Sequence, residues 1–236
     1  MTRLIVGLLL LPTASASLWA AGKAVGQVAF SPRDTFPFLV GFFGYAAVHF
    51  WARRPIRLYV FGHELTHALA AWMHGASVLK FVVGKKGGHV DLTHSNAVIA
   101  LAPYVFPVYA ALVVLAYRVV VWTVPAYGTG RAANLLFLAA IGCALSFHLL
   151  HTAHSLWDVH QPDLDQAGGV IFSLAIIALA NGIFLIAALK CLFPGMIAAG
   201  RSFDLVWSLS ARFWLWVGTS ITAAVASSVR HWMRPA

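Results

Sequence analysis

Apolar stretches long enough to approach a bilayer's thickness alternate with short polar connections along nearly the whole chain. A spanning helix needs about 20 mostly apolar residues, and residues 4–21, 36–51, 96–121, 132–156, 170–189 and 205–229 come close to or exceed that length. The first stretch admits two readings. Arg3, the apolar run 4–11 and the small residues 12–16 fit a signal peptide, and they equally fit a first spanning helix through Trp19 and Ala21, which is the expectation here. A polar linker with Lys23, Gln27, Ser31, Arg33 and Asp34 should follow. After residues 36–51, Arg53, Arg54 and Arg57 make the densest basic loop, which the positive-inside rule assigns to the cytoplasm. A further apolar helix begins at once and carries His63, Glu64 and His67. Pro103 and Pro107 remove backbone donors from residues 96–121 and should bend or divide that helix. Trp122, Pro125, Tyr127, Gly128, Gly130 and Arg131 read as an interfacial connection. In the last stretch Arg212 is expected to snorkel or pair.

Residues 76–96 break the helical pattern. Val78 to Val83 are β-prone, Gly84-Lys85-Lys86-Gly87-Gly88 is turn-like, and His89-Val90-Asp91-Leu92 can return as a partner strand. Open strand edges are costly in hydrocarbon, so a hairpin over 78–92 belongs at the interface or against the bundle. Its role is either that of a folded loop or that of an edge that captures an extended peptide.

Composition sharpens this into a class. Of 236 residues, 61% are hydrophobic and 10% charged, against about 25% charged in soluble domains, and mean hydropathy is +0.82. The expected fold is an all-α polytopic membrane protein, a single integral membrane domain over residues 1–236. Six or seven apolar helices should carry a small β-hairpin after the motif helix. The formal charge of +9 is dispersed; contact with lipid headgroups accounts for it and nucleic acid is not an expected partner. Cys143 and Cys191 lie in or near apolar spans and indicate neither a disulfide framework nor a cysteine metal site.

The chemistry centres on His63-Glu64-Leu65-Thr66-His67. Helical spacing lets the two imidazoles face one zinc ion, with Glu64 beside it to take a proton from water. Ionisable groups inside a membrane helix are functional candidates by default. The plainer interpretation is a chance motif whose groups satisfy one another in the bundle. At 1.5 Å per residue Glu64 lies roughly 10 Å beyond Arg57, below the membrane surface. His148, His151, Thr152 and Ser155 can cluster on one helix face, with His154 partly around it, either as a satisfied polar group or near a metal. Tyr104 and Tyr109 can support packing or a polar lining, and packing is the expected role. Between Trp157 and Gly169 stand Asp158, Asp163 and Asp165, three of the seven acidic residues and the natural source of a third, oxygen ligand. Residue type and spacing leave Asp163 and Asp165 both open.

Over residues 56–190 the order of motif helix, hairpin, proline-containing helix, further span and acidic segment resembles the site-2 protease family of intramembrane zinc metallopeptidases. The resemblance implies a metallopeptidase-like core in which His63, His67 and a distant aspartate bind Zn2+ and Glu64 activates water. The Gln161-Pro162-Asp163 turn is similar to that of a divergent bacterial branch, which points to Asp163. It also implies a bacterial inner-membrane protein that hydrolyses a peptide bond within or beside a transmembrane protein or peptide substrate. Substrate selection would fall to the helices and hairpin, or to a regulatory membrane protein. The chain departs from the family where Asp163-Leu164-Asp165 replaces an Asp-Gly pair and where Ala102-Pro103 stands for Gly-Pro followed by asparagine.

Two other classes compete. Eleven histidines suggest a membrane di-iron oxygenase, although dense adjacent-histidine pairs are missing. A nonproteolytic zinc-binding transport or scaffold protein would use the same ligands without needing Glu64. Simple alternation of spans also places Asp163 near the membrane face opposite the motif. Either the acidic loop dips inward, the motif helix starts deeper, or one span is re-entrant.

Overall fold

The computed structural model describes residues 1–30, 32–52, 54–84, 87–124, 130–158 and 161–232, with backbone alone at 32–34, 158 and 229–232. Ser31, Arg53, Lys85, Lys86, Pro125, Tyr127, Gly128, His160 and Arg234, and the side chains of Arg33, Asp34, Asp158, Arg230 and His231, lie outside the described residues.

Helix α1 (Thr2–Ala29) leads to α2 (Pro32–Trp51) and α3 (Ile56–Met73). A hairpin of β1 (Val78–Val83) and β2 (Gly88–Leu92) follows, then α4 (Ala97–Val105), α5 (Val108–Thr123) and α6 (Arg131–Asp158). The chain ends with the short α7 (Pro162–Ala167), α8 (Val170–Leu192) and α9 (Ala199–Trp232). The chain is thus largely helical, with the expected hairpin directly after the motif helix. The expected linker at Lys23 and Gln27 is instead the last part of α1, which runs on to Ala29.

Among the described residues three helices, α1, α6 and α8, are long and apolar enough to cross a membrane, and up to five spans result if each of two bent pairs counts as one. The count of six or seven is not reproduced: among the described residues α9, which holds the 205–229 run, is not a candidate span, and α2 and α3 qualify only together as one bent pair. α2 and α3 meet at 116°, and α4 and α5 at 68°. Counting apolar residues treats each run as a straight rod, and a sharp bend folds two short helices into the depth of one. The segment at 205–229 lies within α9, where Arg212 Nε donates to the Ser208 carbonyl one turn back at 3.2 Å.

Close helix packing sets the frame. α1 lies along α8 through small residues, Ala14, Ser17, Ala20 and Ala24, all buried. Small side chains let helix backbones approach, which is how helices associate where lipid is as apolar as leucine. In the run at 12–16 that fits a cleavage site Ala14 and Ala16 are buried, Ala16 in a cluster with Ile186 of α8 and Val206 of α9. α2 packs along α6, joining Phe38, Ile141, Ala144 and Leu145 in one apolar cluster with Phe193 and Ile197.

The motif helix ends in a Schellman turn. Gly75 adopts φ +75, Ala76 N–H bonds Ala71 O at 2.8 Å and Gly75 N–H bonds Trp72 O at 3.2 Å. That reversal sends the antiparallel hairpin back along α3, paired as Phe81 with Val90 and Val82 with His89, with an irregularity between Val78 and Lys80. Asn96 then caps α4, its side chain accepting from Val98 and Ile99 N–H at 2.9 and 3.0 Å. Pro107 ends α4: Phe106 is extended, as a residue before proline prefers, and α5 restarts at Val108.

Candidate metal centre

α3 presents His63 and His67 one turn apart on one face, with ring centroids 4.9 Å apart. Asp163 arrives from α7, bringing Oδ2 to 3.4 Å from His63 Nε2 and 3.3 Å from His67 Nε2. One donor atom from each residue lies within 4.8 Å of the others, and no second such group occurs among the described residues. Asp165, the alternative, is exposed and outside this group.

The distances separate two interpretations of the trio. A charge-assisted N–H to carboxylate hydrogen bond is normally about 2.7–2.9 Å long. Tetrahedral coordination with bonds of about 2.0–2.1 Å instead separates neighbouring donor atoms by about 3.3 Å. The observed spacings of 3.3 and 3.4 Å match the second case. Two neutral imidazole nitrogens and one carboxylate oxygen are also the mixed N/O donor set a divalent metal accepts.

Each donor is oriented by a neighbour, and the proline-broken helix supplies two of these supports. In a regular helix the N–H at position 103 would bond the carbonyl of Ile99, but Pro103 has no N–H. His67 Nδ1 takes that carbonyl at 2.9 Å, which makes Nδ1 the protonated nitrogen and leaves Nε2 as a lone-pair donor. The Tyr104 hydroxyl is 2.8 Å from Asp163 Oδ2 and 3.0 Å from Gln161 Oε1. Its one proton favours the nearer, charged oxygen. Where the helix breaks at Pro107, the Tyr104 carbonyl is taken by Asn181 Nδ2 at 2.7 Å. For His63, Nδ1 lies 3.5 Å from the Tyr59 hydroxyl.

Short helix α7 holds Asp163 by burying its other face. Pro162 starts it with a preset φ, and Leu164 and Ala167 pack with Ala100, Leu101, Tyr104 and Ile177. Ser173 Oγ donates to Leu164 O at 2.9 Å, and Arg3 Nη1 to Ala167 O at 2.8 Å. Burial alone would raise the Asp163 carboxyl; the facing imidazoles of His63 and His67 and the Tyr104 hydroxyl outweigh it and hold the group below the usual carboxylate range.

Glu64 is 6% exposed and borders two adjoining cavities with His63. The larger, about 570 Å³, is walled by the donor trio, by β2 and by the Pro162–Gln166 side. Gly88 is required where β2 meets α3: a Cβ there would lie 2.9 Å from Glu64 Cγ and 2.7 Å from Val60 Cγ1.

No protein-family model, curated protein or solved structure matches this chain. Its chemistry follows from the donor set and its surroundings.

The histidines of α6 do not join the trio. His151 Nε2 meets the Tyr45 hydroxyl at 2.7 Å, its ring stacks on Tyr59 at 4.8 Å, and it lies 4.9 Å from the His49 ring. His148 and Thr152 are buried without entering the donor group. Sequence reasoning expected Tyr104 to pack, with a polar lining as the alternative, read Arg3 only as the positive start of the first apolar stretch, and passed over Ile99. The only local signal was Pro103, whose missing N–H marks Ile99 as the carbonyl left over.

Proposed function

We propose that this protein is a zinc metallopeptidase of the membrane, in a bacterial inner membrane, that hydrolyses a peptide bond within or beside a transmembrane segment. The observation that carries this reading is the spacing of His63, His67 and Asp163, which suits one tetrahedral metal ion, together with buried Glu64 beside them. A single donor trio among the described residues favours one metal ion over a di-iron pair.

When bound, zinc supplies an acidified water and polarises the scissile carbonyl. His63 and His67 would hold the ion through Nε2 and Asp163 through Oδ2, with Ile99 O and Tyr104 orienting two of the three. Glu64 accepts the proton of the attacking water and returns it to the leaving amine. An intact helix shields its carbonyls, so a transmembrane substrate, delivered directly or through a regulatory membrane protein, must unwind locally. β2 belongs to a two-stranded sheet beside the cavity, so its unpaired edge can offer backbone partners to an extended peptide.

The test uses the intact protein in mild detergent with Glu64→Gln and His63→Ala. Glu64→Gln should keep about one zinc per chain and lose cleavage of a transmembrane peptide, whereas His63→Ala should lose both. Cleavage undiminished by Glu64→Gln overturns the mechanism. A zinc-loaded parent that cuts nothing under conditions where a reference membrane metallopeptidase is active points instead to a nonproteolytic zinc-binding role.

A further inference from the structure

The smaller cavity beside the metal centre, about 380 Å³, shares His63, Glu64, Gly88 and Gln161 with the larger one. The two therefore form adjoining halves of one path across the donor trio. Their charges differ. Asp91 and Asp163 line only the larger half and Arg54, His151 and His154 only the smaller, while Glu64 borders both.

Arg54 is half-buried, at the start of the turn into α3. Its Nε donates to the His49 carbonyl at 3.2 Å, and its Nη1 lies against both ring nitrogens of His154. A guanidinium has five N–H donors, so donors remain beyond those two contacts. Both ion pairs among the described side chains belong to Asp163, and neither involves Arg54. A fixed cation drawn partly out of water and set beside imidazoles at the wall of a cavity can bind an anion that enters from outside.

We infer that this smaller cavity is an anion pocket that recognises a carboxylate of the peptide substrate, an acidic side chain or the chain terminus, through Arg54. The inference rests on the peptidase reading and names a substrate feature for it. A peptide is favoured over a lipid phosphate because the pocket shares its wall with the metal centre, so one extended chain fills both halves. Ile56, beside Arg54, is about 10 Å along α3 from His63. An extended chain covers that in about three residues. The acidic group is therefore expected about three residues from the scissile bond.

Peptidyl hydroxamates test this without turnover, because the hydroxamate chelates the metal and the attached residues occupy the path. Two series, one with the hydroxamate at each end, carry Glu or Gln two, three or four residues away, and titration calorimetry measures their Kd on the zinc-loaded full chain in uncharged detergent. At one position Glu should bind about tenfold or more tighter than Gln to the parent. The preference should fall below about twofold in Arg54→Gln and be partly kept in Arg54→Lys, with the Gln compounds binding parent and Arg54→Gln alike. A Glu-to-Gln ratio near one throughout, or one that survives Arg54→Gln, overturns the pocket and leaves the metal centre standing. Loss of the Glu preference on adding phosphatidylglycerol, but not phosphatidylcholine, assigns the pocket to a lipid phosphate and also overturns the proposal. No hydroxamate binding at all removes the metal-centre reading and the pocket with it. A preserved preference in a protein that cleaves no peptide keeps the pocket and removes only the hydrolytic reading.

Discussion

Replacing Tyr104 by phenylalanine isolates one support of Asp163, the proposed third ligand. Tyr104 is fully buried, and its ring stands edge-on to His63 with centroids 5.1 Å apart. Phenylalanine keeps that ring and its packing against Leu101 and Leu164 and removes one oxygen. That oxygen lies 2.8 Å from Asp163 Oδ2. A hydrogen bond to a charged acceptor contributes roughly 1.5–3 kcal/mol. Loss of an outer partner of a metal ligand weakens metal binding about 10–100-fold, which converts to about 1.4–2.7 kcal/mol. The two scales agree, so zinc Kd should rise by about 10–100-fold in Tyr104→Phe. Competition against a chromophoric zinc chelator in mild detergent measures it, with Asp163→Ala as the full-loss reference and circular dichroism as the fold control. A Kd within about twofold of the parent, alongside clear loss in Asp163→Ala, would refute the claim that this hydroxyl holds the carboxylate in place.

Asp163→Ala should abolish stoichiometric zinc binding while Asp165→Ala leaves it unchanged, as metal analysis of the purified proteins will show; the reverse pattern reassigns the ligand. Pro103→Ala restores an N–H that competes with His67 for Ile99 O, so zinc affinity should drop by about tenfold while the thermal midpoint of the metal-free protein holds or rises; unchanged affinity would mean that His67 does not need that carbonyl. Gly88→Val drives a Cβ toward Val60, Glu64 and the Val82 carbonyl, the last at 2.6 Å. It should displace β2 and cut peptide cleavage by more than about tenfold with zinc retained; full activity would show that β2 has no part in holding substrate.

The parts of this molecule that were legible in its sequence are those set by short-range geometry. His63 and His67 share a face because four residues make about one helical turn, whatever surrounds them. The hairpin follows from β-prone residues on both sides of a glycine-rich turn, and the division of the 96–121 run follows from the proline at 107, which lacks the donor a continuous helix needs. The small residues of α1 were visible too, but their use as a packing face against α8 depended on which helix came to lie beside them.

Composition and local pattern by themselves determined that the chain is a largely helical, apolar protein with a hairpin after a His-Glu-x-x-His helix. Residue type and spacing left Asp163 and Asp165 both open, only the resemblance pointed to Asp163, and the tertiary structure brings Asp163 to the motif. Asp163 and Asp165 are two residues apart and chemically alike, and the choice between them was made by Leu164 and Ala167, whose burial against α4 and α8 turns one carboxylate inward and leaves the other exposed. It also decided that two of those runs are sharply bent, and that His151 and His154 join His49 and Arg54 rather than the group of His63, His67 and Asp163. The physical reason is the same in each case. Side-chain spacing within one helix is fixed by backbone hydrogen bonds over a few residues, whereas a donor atom 100 residues away is placed by which apolar faces pack together.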